Sequence, residues 1–189
     1  MGRAAVFLDR DGVLTIPHFR DGRSYAPTQI QDFRLYPGAS AATARLKNAG
    51  FTVIVATNQP DITTGKLDPE TLGEMRDRLR AETTIDDIEV STATRANPDR
   101  RRKPEPGMLL DAAAKWDIDL STSYMVGDRA SDVRCGVQAG CRAVFIDLGY
   151  TAEETPRGQD ATFANLSQAV DWICTNSTGA GRTGKGETP

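Results

Sequence analysis

Acidic side chains follow apolar segments at two places in the chain. Asp9 and Asp11 lie in "FLDRDG", and Asp128 and Asp132 lie in "VGDRASD". Taken singly, each acid also fits a turn or the first turn of a helix. Carboxylates that come together repel one another unless a cation joins them, and oxygen ligands without histidine or cysteine favour Mg²⁺. Because Mg²⁺ in such sites also binds substrate phosphate, the four acids predict a magnesium site for a phosphorylated ligand.

A row of four cations is the second feature with chemical potential. Residues 100–103, in "NPDRRRKPEPGM", are three arginines and a lysine. Such a row fits a nucleic-acid surface, a solvated loop or a phosphate site. A general nucleic-acid binder carries a basic surplus, whereas this chain has a net charge of −3, so we expect no nucleic-acid partner. A guanidinium fork matches phosphate oxygens, and we therefore expect Arg102 and Lys103 to bind substrate phosphate.

Five short apolar segments are predicted to be the strands that position these groups. They are continuous apolar runs, which are typical of strands covered on both faces in a parallel sheet. The five segments are residues 4–9, 51–58, 87–92, 123–128 and 142–147. In a doubly wound sheet, ligands bind beyond the carboxyl ends of the strands. Thr57, Asn58 and Gln59, at the end of the second segment, are therefore expected to join the acids at one edge.

Helical patterns alternate with the strands. They cover residues 38–50, 68–82, 103–117, 130–140 and 165–176. The alternation predicts an α/β fold, in which a doubly wound, Rossmann-like parallel sheet of five or more strands is flanked by helices. We expect one domain over residues 1–175. The tail, residues 176–189, is rich in Gly, Thr and Ser and is predicted to be disordered.

The cellular setting follows from what the sequence lacks. No apolar run approaches the ~20 residues that a membrane span needs. The N-terminal segment "MGRAAVFLDRD" lacks the apolar core of a signal peptide. The three cysteines are widely spaced and fit small buried thiols in a reducing compartment. We therefore expect a cytoplasmic protein with no membrane partner.

Four motifs, "DRDG", "TNQ", "RKPEPGM" and "GDRASD", occur in the order and spacing of the haloacid dehalogenase (HAD) superfamily. The resemblance covers residues 6–149 and is strongest to the capless branch, which contains phosphatases of heptose bisphosphates and of histidinol phosphate. It implies the HAD fold without a large cap domain, a monomer, and magnesium-dependent hydrolysis of a phosphomonoester on a small metabolite. A sugar bisphosphate is the first candidate, and histidinol phosphate or another sugar phosphate is the alternative. A phosphate-binding domain without catalysis is less favoured, because a binder needs no nucleophile.

The resemblance also implies catalytic roles. Asp9 would be the nucleophile that forms an aspartyl-phosphate, and Asp11 the general acid and then the base. Thr57 would donate to the phosphoryl group, and Lys103 would neutralise the charge of the phosphate and of Asp9. Contacts with substrate are implied for Asn58, Gln59 and Arg102.

Magnesium is implied at the same edge of the sheet. The ion would lie between the Asp9 carboxylate, the backbone carbonyl of Asp11 and Asp128. Asp132 would orient a metal-bound water or Lys103 rather than bind the metal itself.

The chain departs from this branch in the segment "VSTATRANPDRRRKP". Relatives carry Cys-x-His and then Cys-x-Cys there, and these four side chains bind zinc. The matching positions are Ser91, Ala93, Asp99 and Arg101, none of which offers a thiolate or an imidazole. A tetrahedral Cys/His zinc site is excluded at this loop. We therefore expect no structural zinc and a loop that other contacts stabilise.

The segment after the first motif, "TIPHFRDGRSYAP", is expected near the site. Arg20, Arg23 and Tyr25 are candidates for contact with the distal end of a sugar phosphate. His18, the single histidine of the chain, more simply fits a solvated loop.

Overall fold

The structure is a computed structural model and describes residues 2–177. The strands of this part are β1 (Ala5–Leu8), β2 (His18–Arg20), β3 (Arg23–Tyr25), β4 (Thr52–Asn58), β5 (Asp87–Ser91), β6 (Tyr124–Gly127), β7 (Arg142–Ile146) and β8 (Ala161–Phe163). Its α-helices are α1 (Ala39–Asn48), α2 (Pro60–Thr63), α3 (Pro69–Glu82), α4 (Gly107–Trp116), α5 (Ala130–Ala139) and α6 (Leu166–Ser177).

The main sheet is parallel and has the order β5–β4–β1–β6–β7–β8. It contains all five predicted strands, so the α/β class is confirmed. Two strand features were missed, and so was the short helix α2. The edge strand β8 has three residues, too few for a periodic pattern. The antiparallel pair β2–β3, hereafter the hairpin, is mostly exposed and therefore carries no apolar signal.

The sheet is covered by helices on both faces, as a doubly wound fold requires. Alternate residues of β1 enter opposite cores because side chains of a strand alternate between its faces. Val6 and Leu8 pack with residues of α1, α3 and α6, whereas Ala5 and Phe7 pack with residues of α4 and α5. All four side chains are fully buried. This double burial explains why the strand is an unbroken apolar run.

Two helix boundaries differ from the prediction. The helix predicted over residues 103–117 begins only at Gly107. Pro104 and Pro106 precede it, and a residue before proline is disfavoured in helical conformation. The last helix continues through Ser177, past the predicted start of a disordered tail at residue 176. Residues 178–189 of that tail lie outside the described part.

The helices of the described part are also short. Among residues 2–177, no helix has both the length and the apolar character needed to cross a bilayer.

The strand register aligns the chemical groups. Leu8 of β1 pairs with Val55 of β4 on one side and with Val126 of β6 on the other. Parallel strands in this register end at the same edge. The residues directly after β1, β4 and β6 therefore meet there.

Candidate active site

Three carboxylates meet where β1 and β6 end. One oxygen from each of Asp9, Asp128 and Asp132 lies within 4.8 Å of the other two. All three side chains are buried. Burial raises the pKa of Asp9 to about 6; Lys103 opposes this shift, and the charges of Asp132 and Asp11 add to it. Burial, followed by the charges of Asp9 and Asp132, raises the pKa of Asp128 well above its ordinary value.

Lys103 is the cation among these acids. Its side chain is 2% exposed, and its Nζ lies 2.8 Å from Asp9 Oδ1 and 2.7 Å from Asp132 Oδ1. Nζ also donates to the carbonyl of Ala56 at 2.8 Å. Burial opposes the charge on Lys103, yet Asp132 and Asp9 raise its pKa above the ordinary value. Lys103 therefore remains a fixed positive charge beside the expected nucleophile.

Both carboxylate oxygens of Asp132 contact other groups of the protein. Its Oδ1 pairs with Lys103, and its Oδ2 accepts from the backbone N–H of Arg129 at 3.0 Å, where α5 begins. A Cβ at position 127 would lie 2.1 Å from Asp132 Cβ, so the close approach needs Gly127. This arrangement supports the predicted role of Asp132 as an anchor for Lys103.

Asp9 and Asp128 are left as the carboxylates with free oxygens. Asp9 Oδ1 accepts from Lys103 and from the N–H of Arg10 at 2.8 Å, whereas no hydrogen bond within residues 2–177 reaches its Oδ2. Asp128 Oδ1 is buried and has no hydrogen-bond partner in the same range. Two buried carboxylates with unpartnered oxygens, and no imidazole or thiolate beside them, fit Mg²⁺.

Asp11 lies at the mouth of this cluster. Its Oδ2 accepts from Arg10 Nε at 3.0 Å and from Gln59 Nε2 at 3.0 Å. Its Oδ1 accepts from Thr15 Oγ1 at 3.0 Å. The Arg10 guanidinium is itself buried over the ring of Phe33, 5.5 Å from the ring centre. Three side chains thus fix the orientation of the expected proton donor.

Gln59 was predicted to contact substrate, and the structure places it behind the site instead. It is 1% exposed, and its Nε2 bonds Asp11 Oδ2 and Thr57 Oγ1, the latter at 2.9 Å. A buried amide that already satisfies two groups has no donor left for a ligand. Because Thr57 Oγ1 accepts from Gln59, the Thr57 hydroxyl hydrogen is free to be donated to a phosphoryl oxygen.

Asn58 lines the cavity, so its predicted contact with substrate stays a prediction, and it also contacts Lys103. Its Oδ1 accepts from the Lys103 N–H at 3.1 Å, and its Nδ2 donates to the Lys103 carbonyl at 3.1 Å. The side chain faces the cavity, but its amide fastens the backbone of Lys103 to the end of β4. The structure therefore indicates that Asn58 positions Lys103.

A cavity of about 860 Å³ opens beside the carboxylates. Its lining includes Arg95 and Arg102, which form no ion pair within the described part of the chain. Arg102 is half-buried and donates to the Ala93 carbonyl at 2.7 Å. Burial and the charge of Arg95 lower the pKa of Arg102. The charge of Asp99 opposes this shift, but neither guanidinium forms an ion pair within residues 2–177, so the two groups are suited to an anion.

Ionic contacts stabilise the loop between β5 and α4. They involve Asp99 and Arg101, which stand where the relatives carry zinc ligands. Arg101 pairs with Glu89 of β5 at 2.7 Å and with Asp111 of α4. Asp99 Oδ1 accepts from the N–H groups of Arg101 and Arg102 at 3.0 and 2.8 Å. These contacts are the stabilisation that the sequence left open.

The hairpin lies at the rim. Arg23 and Tyr25 line the cavity. Arg20, predicted to bind substrate, is 71% exposed, and its guanidinium lies 4.9 Å from the centre of the Tyr25 ring. Arg20 is not among the residues that line the cavity. His18 is exposed, 3.8 Å from Asp32, as expected of a solvated residue.

Three site residues were missed, namely Arg95, which is described above, Arg129 and Tyr150. Arg129, directly after Asp128, lines the cavity and donates to Ser24 Oγ at 2.6 Å. Tyr150 donates its hydroxyl hydrogen to Asp128 Oδ2. Tyr150 lies shortly after β7, which neighbours β6 and ends at the same edge. Its position shortly after a strand is the signal that could have identified it. That signal was weaker than for β1, β4 and β6, because β7 leads neither to a carboxylate of the cluster nor to an amide of the site.

Comparisons with known proteins show the family of this chain. A family model described as HAD-hydrolase-like matches residues 100–169. The D-glycero-D-manno-heptose-1,7-bisphosphate 7-phosphatase of Thermosynechococcus vestitus is 32% identical over 93% of this chain and 98% of the relative. The D-glycero-beta-D-manno-heptose-1,7-bisphosphate 7-phosphatase of Escherichia coli is 33% identical over 88% of this chain and 93% of the relative.

A solved structure is similar over nearly the whole chain. It is the crystal structure of D,D-heptose 1,7-bisphosphate phosphatase from B. bronchiseptica, complexed with magnesium and phosphate. The match covers 92% of this chain and 99% of the B. bronchiseptica chain, with 28% sequence identity and a TM-score of 0.78.

Proposed function

Because this chain belongs to the HAD superfamily, in the group of phosphatases that contains the heptose bisphosphate phosphatases, we propose that it removes one phosphate from a small sugar bisphosphate. The 7-phosphate of D-glycero-D-manno-heptose 1,7-bisphosphate is the first candidate, since the relatives from T. vestitus and E. coli are named for that reaction. One observation carries the proposal. Asp9 pairs with the fixed cation Lys103, has a carboxylate oxygen within 4.8 Å of one from Asp128, and lines a cavity with arginines that form no ion pair within residues 2–177.

Asp9 and Asp128 would hold the magnesium ion. The B. bronchiseptica phosphatase binds magnesium and phosphate in its crystal structure, which supports this assignment. When bound, the ion neutralises negative charge on the phosphoryl oxygens.

The first step uses groups that the fold already fixes. A carboxylate oxygen of Asp9 attacks phosphorus and forms the aspartyl-phosphate, while the bond from phosphorus to the sugar oxygen breaks. Asp11 gives its proton to that leaving oxygen. The Thr57 hydroxyl and the Lys103 ammonium stabilise charge on the phosphoryl group.

The second step restores the enzyme. Asp11, now a carboxylate, takes a proton from water while the water oxygen attacks phosphorus. The bond between phosphorus and the Asp9 oxygen breaks, and inorganic phosphate leaves. Asp9 is again a carboxylate and Asp11 is again protonated, so both residues are ready for another cycle.

The second phosphate of the substrate has its own candidate partners. Arg102 and Arg95 line the cavity without carboxylate partners in residues 2–177. An anion at the far end of the substrate would neutralise them. This supports a bisphosphate over histidinol phosphate, whose far end is a cationic amine.

The experiment measures phosphate release with Mg²⁺ from a heptose 1,7-bisphosphate, its monophosphate and histidinol phosphate. Wild type is compared with Asp9→Asn and with Asp171→Asn, a matched change at a surface pair with Arg45. We expect the highest kcat/KM on the bisphosphate, no turnover by Asp9→Asn and full activity of Asp171→Asn. Turnover by Asp9→Asn, or preference for histidinol phosphate, would overturn the assignment.

We also propose that the chain functions without structural zinc, as a cytoplasmic monomer with no nucleic-acid or membrane partner. The four non-ligating residues at the zinc positions support the first point. Elemental analysis of the purified protein is expected to find no stoichiometric zinc. One tightly bound zinc per chain would contradict it, and light scattering after gel filtration measures the oligomeric state.

A further inference from the structure

Tyr150 is a half-buried residue of the segment 149–154, which joins β7 to the rim of the site. Its hydroxyl donates to Asp128 Oδ2. Asp128 is 1% exposed, and its other oxygen, Oδ1, has no hydrogen-bond partner within residues 2–177. The two oxygens of one carboxylate are thus unequal, because the protein binds one and leaves the other open.

We propose that Tyr150 is a positioning residue that fixes the Asp128 carboxylate so that Oδ1 faces the metal. The inference rests on the proposed function for its metal but concerns a residue with no assigned role. A carboxylate rotating inside this site would lose the Tyr150 hydrogen bond, and little water reaches so buried a group. Groups that hydrogen-bond a metal ligand set its orientation and raise metal affinity.

The same segment connects the metal ligand to the hairpin. The rings of Tyr150 and Phe19 have centroids 5.5 Å apart. The Ala152 N–H donates to the Gly22 carbonyl at 3.1 Å. Gly22 has a φ of +72°, and a Cβ there would lie 2.3 Å from the Thr151 side-chain hydroxyl, so this contact with the segment needs glycine at position 22.

An ion pair adds a further connection. Glu153 lies 3.5 Å from Arg129, which in turn donates to the hairpin residue Ser24. The hairpin also carries Arg23 and Tyr25 of the cavity lining. Tyr150 therefore links Asp128 to the hairpin that lines the cavity. Binding of the metal ion should then favour binding of substrate, and binding of substrate should favour binding of the metal ion.

The test uses two tyrosines near the same carboxylate. Tyr150→Phe removes the hydroxyl and keeps the ring that packs on Phe19. Tyr36→Phe is the matched control, because the charge of Asp128 acts on Tyr36, yet no side-chain hydrogen bond joins them in the described chain. The Kd for Mn²⁺ is measured by electron paramagnetic resonance on the full chain without substrate, and unfolding curves confirm that both variants fold.

We expect Tyr150→Phe to raise the Kd for Mn²⁺ about 10-fold, as for other groups that orient metal ligands. Tyr36→Phe should leave it within a factor of about two. Equal Kd values for Tyr150→Phe and wild type, equal weakening by both variants, or no Mn²⁺ binding by wild type would overturn the inference. Turnover tests the proposed function separately. If the wild type turns over substrate and Tyr150→Phe binds Mn²⁺ with normal affinity, the inference about Tyr150 is wrong and the proposed function stands.

Discussion

Replacing Arg101 by methionine tests how the loop that carries Arg102 and Lys103 is stabilised. Arg101 is 29% exposed, and its partners Glu89 and Asp111 are 13% and 29% exposed. Exposed ion pairs contribute roughly 0.2–1 kcal/mol, whereas hydrogen bonds to charged groups contribute about 1.5–3 kcal/mol. The contacts of Arg101 are partly buried and involve two acids, so their contribution should exceed that of an exposed pair. We expect Arg101→Met to lower the free energy of unfolding by about 2 kcal/mol.

Arg100 provides the matched control. It is 68% exposed and, within residues 2–177, pairs only with Asp111, so Arg100→Met should cost about 0.5 kcal/mol. For a chain of this length, these losses correspond to Tm decreases of about 4–8 °C and about 1–2 °C. Thermal unfolding by circular dichroism at low salt measures both, and the difference should shrink in high salt as ionic contacts are screened.

Catalysis provides a second readout of the same variant. Asn58 and the buried acids still hold Lys103, so kcat of Arg101→Met should change little, whereas KM should rise several-fold as Arg102 loses its support. If Arg101→Met and Arg100→Met have the same Tm, the ionic contacts of Arg101 do not stabilise the loop and this reasoning is refuted.

Two further predictions concern the carboxylates. The folded pKa of Asp9, about 6, lies above its ordinary 3.8, so the metal-free folded protein gains stability from protonated Asp9 at low pH and loses it as pH rises through about 6. The difference in free energy of unfolding between wild type and Asp9→Asn, from urea titrations with chelator, should therefore decrease between pH 4 and pH 7; an increase would refute the sign. Gln59→Leu removes a donor to Asp11 and to Thr57, and we expect kcat to fall about 10²-fold with a small change in KM, because the loss acts on the transition state. Steady-state kinetics measure it, and a change confined to KM would show that Gln59 contacts substrate after all.

The sequence predicted the parallel sheet and the acids at its edge for one physical reason. Strands buried on both faces are unbroken apolar runs, and polar residues come directly after β1 and β6 and at the end of β4. The position of a residue after a strand thus fixes where its backbone lies. It does not fix what its side chain contacts.

The contacts that the sequence did not predict follow from that limit. Asn58 and Gln59 stand at the expected edge, but their amides bond protein groups across 45 and 48 positions of sequence. Such partners depend on side-chain direction, which a motif does not encode. Tyr150 shows the same limit, since its partner Asp128 belongs to a different strand end. Arg101 stands at a zinc position of the relatives, but its contacts with Glu89 and Asp111 needed the packing of α4 beside β5.

The central claim is that Asp9 forms a covalent bond to phosphorus. The most direct measurement mixes the enzyme with heptose bisphosphate and Mg²⁺, quenches in acid within one turnover, reduces with borohydride and maps peptides by mass spectrometry. An aspartyl-phosphate at Asp9 is reduced to homoserine, and we expect that conversion at Asp9 and at no other carboxylate. Conversion at Asp11, or turnover with no converted residue, would contradict it.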